Sequence, residues 1–486
     1  MVQILPVLRA FALILKMFTV SMLAPLVVAW IYQDGAEQAF DDGVLISLAV
    51  ALFLWLVSHR DRRELQVKDG FLLVVMVWTL LPAFAAIPLM DYFWPNLSFT
   101  DAYFESMSGV TTTGSTVLEG LDKLPFSINL WRGELQWLGG MGIIVLAVAI
   151  LPFLGVGGAQ MFKWESPGPM KESKLTPRIA ESAKSFWSVY VAITLACMLS
   201  LRLAGMSWGD AVIHGFTTLA TGGFSSHDAS YGYFNSPAMD ILTIIFMTLA
   251  AINFGTHFLV WRDRSIKPYF SDPEIGWFLL VLFGSSAAVA LLLWQQGTYG
   301  DYFTALRFAT FNLVSVATTT GFANTDFNLW PLIAPMWMLF LCTYASCSGS
   351  TGGGIKMIRG IVLYKQVFRE LTRAIHPASV RAVWIAGEPL SNGVVSAVVA
   401  FSFIYMVVTA SLTLALIGTG LDLTTAFSAV VATVNNTGPG LNQVGPATTF
   451  MALTDTQTWI CTFAMLLGRL EIFPVLVVLM PSFWRR

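Results

Sequence analysis

The sequence predicts an all-α polytopic membrane protein with ten transmembrane helices. The first two helices form an N-terminal hairpin, and the other eight form four helix–pore loop–helix repeats with pseudo-fourfold symmetry around one pore. Hydrophobic residues make up 56% of the 486 residues and charged residues only 12%, whereas soluble proteins carry about 25% charged residues. The mean hydropathy of +0.69 agrees with this. A loop pattern that occurs four times predicts the repeats.

The remaining composition excludes several classes of protein. The formal net charge is −2, so no basic excess indicates a nucleic-acid partner, and membrane lipid is the expected surrounding. No metal-site spacing or disulfide framework is evident among the cysteines, which we interpret as small buried residues. They are Cys197, Cys342, Cys347 and Cys461.

Ten apolar segments are long enough to cross a bilayer, which requires about 20 residues. They lie near 6–32, 43–59, 70–90, 128–156, 182–205, 236–262, 274–298, 330–365, 391–419 and 450–482. The N-terminus carries Arg9 and Lys16 and then a long apolar run to Ile31, without a small-residue cleavage site, so we expect a retained span rather than a signal peptide.

Loop charges predict the orientation. Lys and Arg concentrate in alternate loops, at 59–68, 163–184, 262–267, 356–381 and 485–486, and the opposite loops are acidic. Because Lys and Arg mark the cytoplasmic side, both termini are predicted to be cytoplasmic. The acidic face would concentrate cations at a pore mouth, although its carboxylates are equally explained as solvated loop residues.

A short apolar segment lies between the two spans of each of the last four pairs. In every copy an alanine precedes a glycine by twelve residues: Ala102 and Gly114, Ala211 and Gly223, Ala309 and Gly321, Ala426 and Gly438. The second copy also contains Gly222, but this spacing and the Gly-Phe shared with the third copy favour Gly223. The repeat predicts the domains 1–66, 67–160, 161–268, 269–381 and 382–486.

Irregular backbone inside a membrane is tolerated where it is buried or lines a watery cavity. Four such loops meeting at one axis could replace the hydration shell of a monovalent cation with backbone carbonyls. Re-entrant loops that serve packing alone are the alternative. The predicted filter comprises Val110, Thr111, Thr112, Thr113 and Gly114; Ala220, Thr221, Gly222 and Gly223; Thr318, Thr319, Thr320 and Gly321; and Asn435, Asn436, Thr437 and Gly438.

At these residues the sequence resembles the TrkH/TrkG/TrkI and KtrB superfamily of K⁺ transporters, over essentially the whole chain. The resemblance implies K⁺ as the bound and transported ion, in the bacterial inner membrane, and a homodimer with one pore in each subunit. The K⁺ contacts it implies are Thr112, Thr113, Thr221, Gly222, Thr319, Thr320, Asn436 and Thr437. The asparagines of the fourth loop depart from the threonine pattern, so its contribution to selectivity is the least defined.

The second span of the third repeat is interrupted by a run of small residues, Ser346–Gly354, which cannot hold a regular helix well. It follows the third filter loop and should line a cavity below it. The resemblance implies an intramembrane gate. A phosphate-binding glycine loop is disfavoured because no strand precedes it and the Walker spacing is lacking. The predicted gate residues are Gly349, Gly352, Gly353, Gly354, Lys356 and Arg469.

Arg469 lies within the last apolar span, and an ionisable residue in a membrane is a functional candidate. We expect it to face the pore or the gate; pairing with a helix end or snorkelling is the alternative. Glu471 is two positions further on, so the two side chains should not face each other on a helix.

Two rival functions differ in class. A membrane enzyme is disfavoured because no catalytic motif is found. An H⁺- or Na⁺-coupled symporter remains the nearer alternative to channel-like conduction. The chain has no nucleotide-binding motif, and the resemblance implies a cytosolic nucleotide-binding ring (TrkA in the Trk branch). The basic loops 163–184 and 356–381 could dock it, or could simply reflect membrane orientation.

Overall fold

A computed structural model describes residues 4–60, 63, 65–93, 96–150 and 175–485. The chain is almost entirely helical there. The helices are α1 Ile4–Ser21, α2 Leu23–Tyr32, α3 Glu37–Ser58, α4 Val67–Tyr92, α5 Phe99–Val110, α6 Phe126–Ile150, α7 Leu175–Leu203, α8 Trp208–Leu219, α9 Pro237–Ala250, α10 Phe254–Asp263, α11 Lys267–Ser271, α12 Pro273–Gln295, α13 Tyr302–Ala317, α14 Ile333–Tyr344, α15 Met357–Ile375, α16 Asn392–Gly418, α17 Leu423–Val434, α18 Asp455–Arg469, α19 Phe473–Leu479 and α20 Pro481–Trp484.

Six spans in the described part of the chain are long and apolar enough to cross a membrane, and two bent helix pairs raise the number to eight. The other two predicted spans coincide with α6 and with the interrupted pair α14 and α15. The end of the predicted span 128–156 and most of the basic loop 163–184 lie outside the described residues. The molecule is a polytopic helical membrane protein, as predicted.

Two spans predicted as continuous are in fact broken. The helices α9 and α10 bend by 95° at residues 251–253, and α18 and α19 bend by 110° at residues 470–472. The second break has a local cause: Pro474, the second residue of α19, cannot donate the helical hydrogen bond to Leu470, and Glu471 and Ile472 both have positive φ. The first break contains no proline. Its backbone instead hydrogen-bonds residues 347–351, which are distant in sequence.

A small sheet also departs from the all-α prediction. Strands β1 Val383–Ile385 and β2 Glu388–Leu390 pair antiparallel, with Val383 opposite Leu390. Ala386 and Gly387 connect them with positive φ angles of 47° and 84°, as in the two-residue turns that match strand twist. The hairpin packs its buried side on the start of α15 and α16.

The buried hydrophobic residues form two large groups. One joins the N-terminal helices α1–α4 to α5, α17 and α18, which belong to the first and last repeats. The other joins α7–α10 to α12–α14, from the second and third repeats. Short 3₁₀ helices, at Leu121–Lys123, Ser230–Tyr233, Phe327–Leu329, Asn442–Val444 and Phe450–Ala452, follow the four filter segments.

Candidate functional site

Four short helices, α5, α8, α13 and α17, each end at one predicted filter segment. A side chain caps the start of each, since Ser98, Ser207, Asp301 and Asp422 accept hydrogen bonds of 2.9–3.1 Å from the backbone amide three residues on. The caps satisfy one free amide per helix. The uncapped carbonyl end of each helix carries partial negative charge, which favours a cation.

The backbone after the four helices has the same unusual conformation. Two residues with positive φ are separated by one residue, and the second is always glycine. The pairs are Thr112 (54°) and Gly114 (84°), Thr221 (50°) and Gly223 (76°), Thr319 (60°) and Gly321 (88°), Asn436 (54°) and Gly438 (99°). Gly223, and not Gly222, therefore stands at the position equivalent to the other glycines. Left-handed backbone at a threonine is unfavourable by about 1–2 kcal/mol, so its repetition indicates a conformation that the fold imposes.

The four segments contact one another in a closed ring. A methyl group added to Gly114 would overlap the carbonyl oxygen of Gly222, and one added to Gly223 would overlap that of Thr320. In the same way Gly321 lies against the carbonyl of Thr437. The ring closes at Gly438, where the added carbon would lie 2.9 Å from the Thr113 oxygen. Only glycine fits these positions, and backbone oxygen from every segment is gathered into one small region.

Threonine hydroxyls brace the first and third segments. Thr111 and Thr113 share a hydrogen bond of 2.7 Å between their hydroxyls, and the equivalent pair Thr318 and Thr320 share one of 2.8 Å. The first members of both pairs also donate to carbonyls in the preceding helix turn. These side chains are therefore engaged with one another and with the helices.

In the second segment, Ala220 and Gly222 stand at the positions of the two threonines. A glutamine from a neighbouring helix makes the bracing hydrogen bonds there instead. The side-chain amide of Gln136, from α6, donates to the Gly222 carbonyl at 2.6 Å and accepts from the Phe224 amide at 3.1 Å. Gln136 is fully buried. It was not predicted as a site residue, and only its position in an apolar helix could have suggested a role.

Asparagines tie the fourth segment to its neighbours. The Asn436 amide donates to the Thr113 hydroxyl at 2.8 Å and to the Met465 carbonyl at 3.1 Å. Asn435 accepts from the Tyr405 hydroxyl at 2.9 Å. The departure from threonine thus gives a bridge between the fourth and first segments.

A buried ion pair lies behind the first segment. The Arg132 Nε donates to Glu105 at 2.8 Å, and the two side chains are 1% and 0% exposed. Glu105 also accepts from the Val117 amide, and Arg132 donates to the Ser225 carbonyl. The pair therefore links the chain after the first filter segment to the chain after the second. Sequence reasoning missed it, although charged residues in apolar helices are a usable signal.

The segment 345–356 lies against the predicted filter segments, and we call it the gate segment after its predicted role. The Gly353 amide donates to the Thr319 hydroxyl at 2.8 Å, and Gly353 lies so close to the Asn435 carbonyl that a side chain would overlap it. The Thr351 hydroxyl donates to the Leu219 carbonyl at 3.1 Å. The gate segment therefore contacts the second, third and fourth filter units.

Other predicted gate residues fold the segment onto itself and its surroundings. Lys356 donates to the Gly352 carbonyl at 2.6 Å, and Gly352 approaches the Thr318 carbonyl. Gly349 and Gly354 both have positive φ, and Gly349 packs against Asn253 in the break between α9 and α10. All the predicted gate glycines thus lie in one connected region.

Arg469, the last residue of α18, holds the gate segment from the side. It is 2% exposed, and it donates to the Thr351 carbonyl at 3.1 Å and to the Gly139 carbonyl of α6 at 2.9 Å. Glu471, within the bend, pairs instead with Arg359 at 2.6 Å. One arginine from the fourth repeat therefore joins the third repeat to the first. Within the described residues, no group of three His, Cys, Asp or Glu side chains could hold a metal ion.

Comparison with known proteins agrees with this architecture. The family model described as TrkH, cation transport protein, matches residues 36–486. The chain is 46% identical to the Trk system potassium uptake protein TrkH of Salmonella typhimurium, over 98% of both sequences, and 37% identical to TrkG of Escherichia coli, over 96% of both. It superposes on the crystal structure of the potassium transporter TrkH from Vibrio parahaemolyticus with a TM-score of 0.92, at 44% identity and full coverage of both chains.

Fold and site together define a multi-pass membrane transport protein rather than an enzyme. The chain belongs to the TrkH family of cation transport proteins. The family resemblance predicted from the loop motifs is therefore confirmed.

Proposed function

We propose that the chain takes up K⁺ across the bacterial inner membrane through the ring of four filter segments. The closed ring of glycine–carbonyl contacts is the observation that carries this proposal. It gathers backbone oxygens from four segments, and such oxygens can replace the hydration shell of K⁺. The similar proteins named as potassium uptake proteins support the choice of ion.

In this proposal each of the predicted repeats, 67–160, 161–268, 269–381 and 382–486, supplies one quarter of the filter. The two residues before each glycine present the carbonyls that contact K⁺. Side chains vary at these positions, from threonine to glycine and asparagine, without altering the shared backbone conformation. Hence backbone rather than side-chain chemistry would carry coordination.

The gate segment and Arg469 regulate passage below the filter. Gly353 lies against the fourth filter unit and bonds the third, so the segment obstructs the route that an ion leaving the filter would take. The Arg469 guanidinium adds a buried positive charge that opposes a cation. For the gate to open, the gate segment would have to break its hydrogen bonds to Thr319 and to Arg469 at the same time.

An ion-coupled mechanism is a second candidate because of one observation. Glu134 lies in α6 and is only 8% exposed. A carboxyl group in the bilayer region is typical of proton relays. Flux reversal at imposed K⁺ and pH gradients separates the candidates, since coupling would shift the reversal potential away from the K⁺ equilibrium value.

A homodimer and a cytosolic regulator complete the proposal. An apolar stripe runs along α15, which also carries the exposed cations Lys365, Arg373 and, beyond its end, Arg381. The stripe consists of Tyr364, Val367, Phe368, Leu371 and Ile375, each more than half exposed. The stripe would meet a second copy, and the cations would dock a nucleotide-binding ring of the TrkA type. In this proposal both termini are cytoplasmic. Because the chain has no nucleotide-binding motif, nucleotide would act only through that partner.

The test is uptake of radioactive rubidium, as a K⁺ substitute, into vesicles that contain the purified chain and an internal K⁺ excess. Uptake should exceed that of protein-free vesicles and be suppressed by external K⁺ far more than by external Na⁺. Equal suppression by the two ions, or no uptake even with Arg469→Gln, would contradict the proposal. Adding the ring protein with nucleotide should change uptake, and Arg373→Glu with Arg381→Glu should remove that response.

A further inference from the structure

An apolar cavity of about 770 Å³ lies where α9 bends into α10. Its volume falls within the range of small-molecule pockets, about 300–1,000 Å³. Its walls come from the end of α9, from α11 and from the start of α12, and they include Leu249, Ile252, Tyr269, Phe270, Gly276 and Leu280. The walls are almost wholly hydrocarbon, so the cavity suits an apolar guest rather than an ion.

The wall on the α9 side continues into residues that hold the gate segment. Ile252 lines the cavity, and the preceding carbonyls of Ala250 and Ala251 accept hydrogen bonds from Thr351 and Cys347 of the gate segment. The break between α9 and α10 therefore both lines the cavity and contacts the gate segment.

The wall on the α12 side also continues into a residue that holds the gate segment. Ile275 and Gly276 line the cavity, and the adjacent Glu274 carboxylate accepts hydrogen bonds from the amides of Ser348 and Ile358. Glu274 is 3% exposed. A guest that props these two walls apart would thus fix both supports of the gate segment.

The rim of the cavity carries two exposed cations. Arg264 directly follows α10 and Lys267 opens α11, on either side of Ile266, which lines the cavity. Asp272 also lines the cavity, but its carboxylate accepts hydrogen bonds from the Thr256 hydroxyl and the Glu274 amide. A second copy of the chain seated here by twofold symmetry would bring these cations against the same cations. An anionic headgroup would instead be attracted to both cations.

We propose that one acyl chain of an anionic phospholipid occupies this cavity, with its headgroup at Arg264 and Lys267. The bound chain holds the α9–α10 bend in the shape that supports the gate segment. Occupancy thereby favours the closed gate. Only this last consequence rests on the proposed function, because binding of the lipid itself does not require transport.

Two glycines of α12 offer a matched test. A side chain at Gly276 would enter the cavity, whereas Gly284, two turns on, lies outside it, and an added carbon meets nothing within 4 Å at either position. Native mass spectrometry of the purified chain with phosphatidylglycerol should show about tenfold weaker retention of one lipid in Gly276→Phe than in Gly284→Phe or the parent. A tenfold loss of lipid retention corresponds to the exclusion of about two methylene groups of the acyl chain from the cavity.

Lys267→Gln should weaken phosphatidylglycerol retention about fivefold, the equivalent of one cation, and leave phosphatidylcholine unchanged. In rubidium uptake, phosphatidylglycerol vesicles should give about fivefold lower uptake than phosphatidylcholine vesicles for Gly284→Phe, but equal uptake for Gly276→Phe. Equal lipid retention by the two glycine variants would overturn the proposal, as would a change confined to the dimer fraction. Absence of uptake in the parent would overturn the transport function instead and leave the binding result standing.

Discussion

Arg469 donates a hydrogen bond of 3.1 Å to the backbone carbonyl of Thr351, and the two residues lie 118 positions apart. The bond joins the broken end of α18 to the gate segment beneath the filter. A second bond from the same guanidinium, to Gly139, anchors it on α6. Because all three groups are buried, loss of the guanidinium leaves carbonyls without partners in a site from which water is largely excluded.

Arg469→Gln should raise K⁺ uptake about tenfold. Hydrogen bonds from a charged group contribute about 1.5–3 kcal/mol each, so loss of one suffices to shift a closed–open equilibrium by that factor. Rubidium uptake at matched protein density measures it. Arg202→Gln is the control, since Arg202 donates only to a nearby carbonyl, that of Met206, at the end of α7. Unchanged or lower uptake in Arg469→Gln would contradict the gate assignment.

The two glycines of the second filter segment should respond differently to the same substitution. Gly223→Ala should abolish growth rescue of a K⁺-uptake-deficient bacterium at low K⁺, because its positive φ and the Thr320 carbonyl leave no space. Gly222→Ala conflicts with the side chain of Gln136, which can be shortened. Adding Gln136→Ala should therefore restore part of the rescue to Gly222→Ala. Adding Thr320→Ala to Gly223→Ala should restore none, and recovery there would show that the register is wrong.

The four equivalent loop segments and their register were accessible from sequence because they depend on local pattern. An alanine–glycine spacing repeated four times marked equivalent backbone positions, and the structure places positive φ at the glycines that it selected. Arg469 stood out since charge is rare in an apolar helix. Predicting these features does not require knowing which segments of the chain are in contact.

The break between α9 and α10 could not be predicted in this way. Its hydrogen-bond partners, Cys347 and Thr351, lie about a hundred residues further on, and no local residue forbids a continuous helix. Gln136 and the pair of Glu105 with Arg132 are similar cases. Their roles depend on tertiary neighbours from other repeats. Where local helix propensity permits more than one structure, hydrogen bonds to residues distant in sequence determine which one forms.

Glu105→Gln should lower the thermal unfolding temperature markedly. It leaves Arg132 charged and buried without its carboxylate, and breaking such a pair costs about 3–5 kcal/mol. Replacing both, with Arg132→Met added, should recover part of the loss because no unpaired charge remains. Arg262→Gln is the control, since the Arg262–Asp263 pair is about half exposed and should contribute little. A double variant less stable than Glu105→Gln would contradict this account.

In the proposed homodimer, Phe368→Glu should shift the chain from dimer to monomer. The phenylalanine lies in the exposed apolar stripe of α15 and is 53% exposed. A carboxylate there would lose its hydration on association. Light scattering of the purified chain in detergent measures the shift. Phe303→Glu, at the start of α13 and 79% exposed, should leave the dimer intact, and equal effects of both changes would argue against the α15 interface.

The surroundings of His227 predict a pH dependence of stability. Its ring lies between Asp122 and Asp210, 3.2 Å from the latter, and stacks on Tyr233 with His214 and Asp228 nearby. Burial lowers the pKa of His227, but the adjacent carboxylates of Asp210 and Asp122 outweigh it, so the pKa is raised above 6.5. A raised pKa stabilises the fold fully below pH 6.5, and this contribution is lost as pH rises through the raised value.

As the pH is raised above 6.5, the unfolding temperature of the parent should therefore fall more steeply than that of His227→Asn. His376→Asn, at the exposed end of α15, should follow the parent. Parallel pH profiles for the parent and His227→Asn would show that the two carboxylates do not stabilise the charged ring.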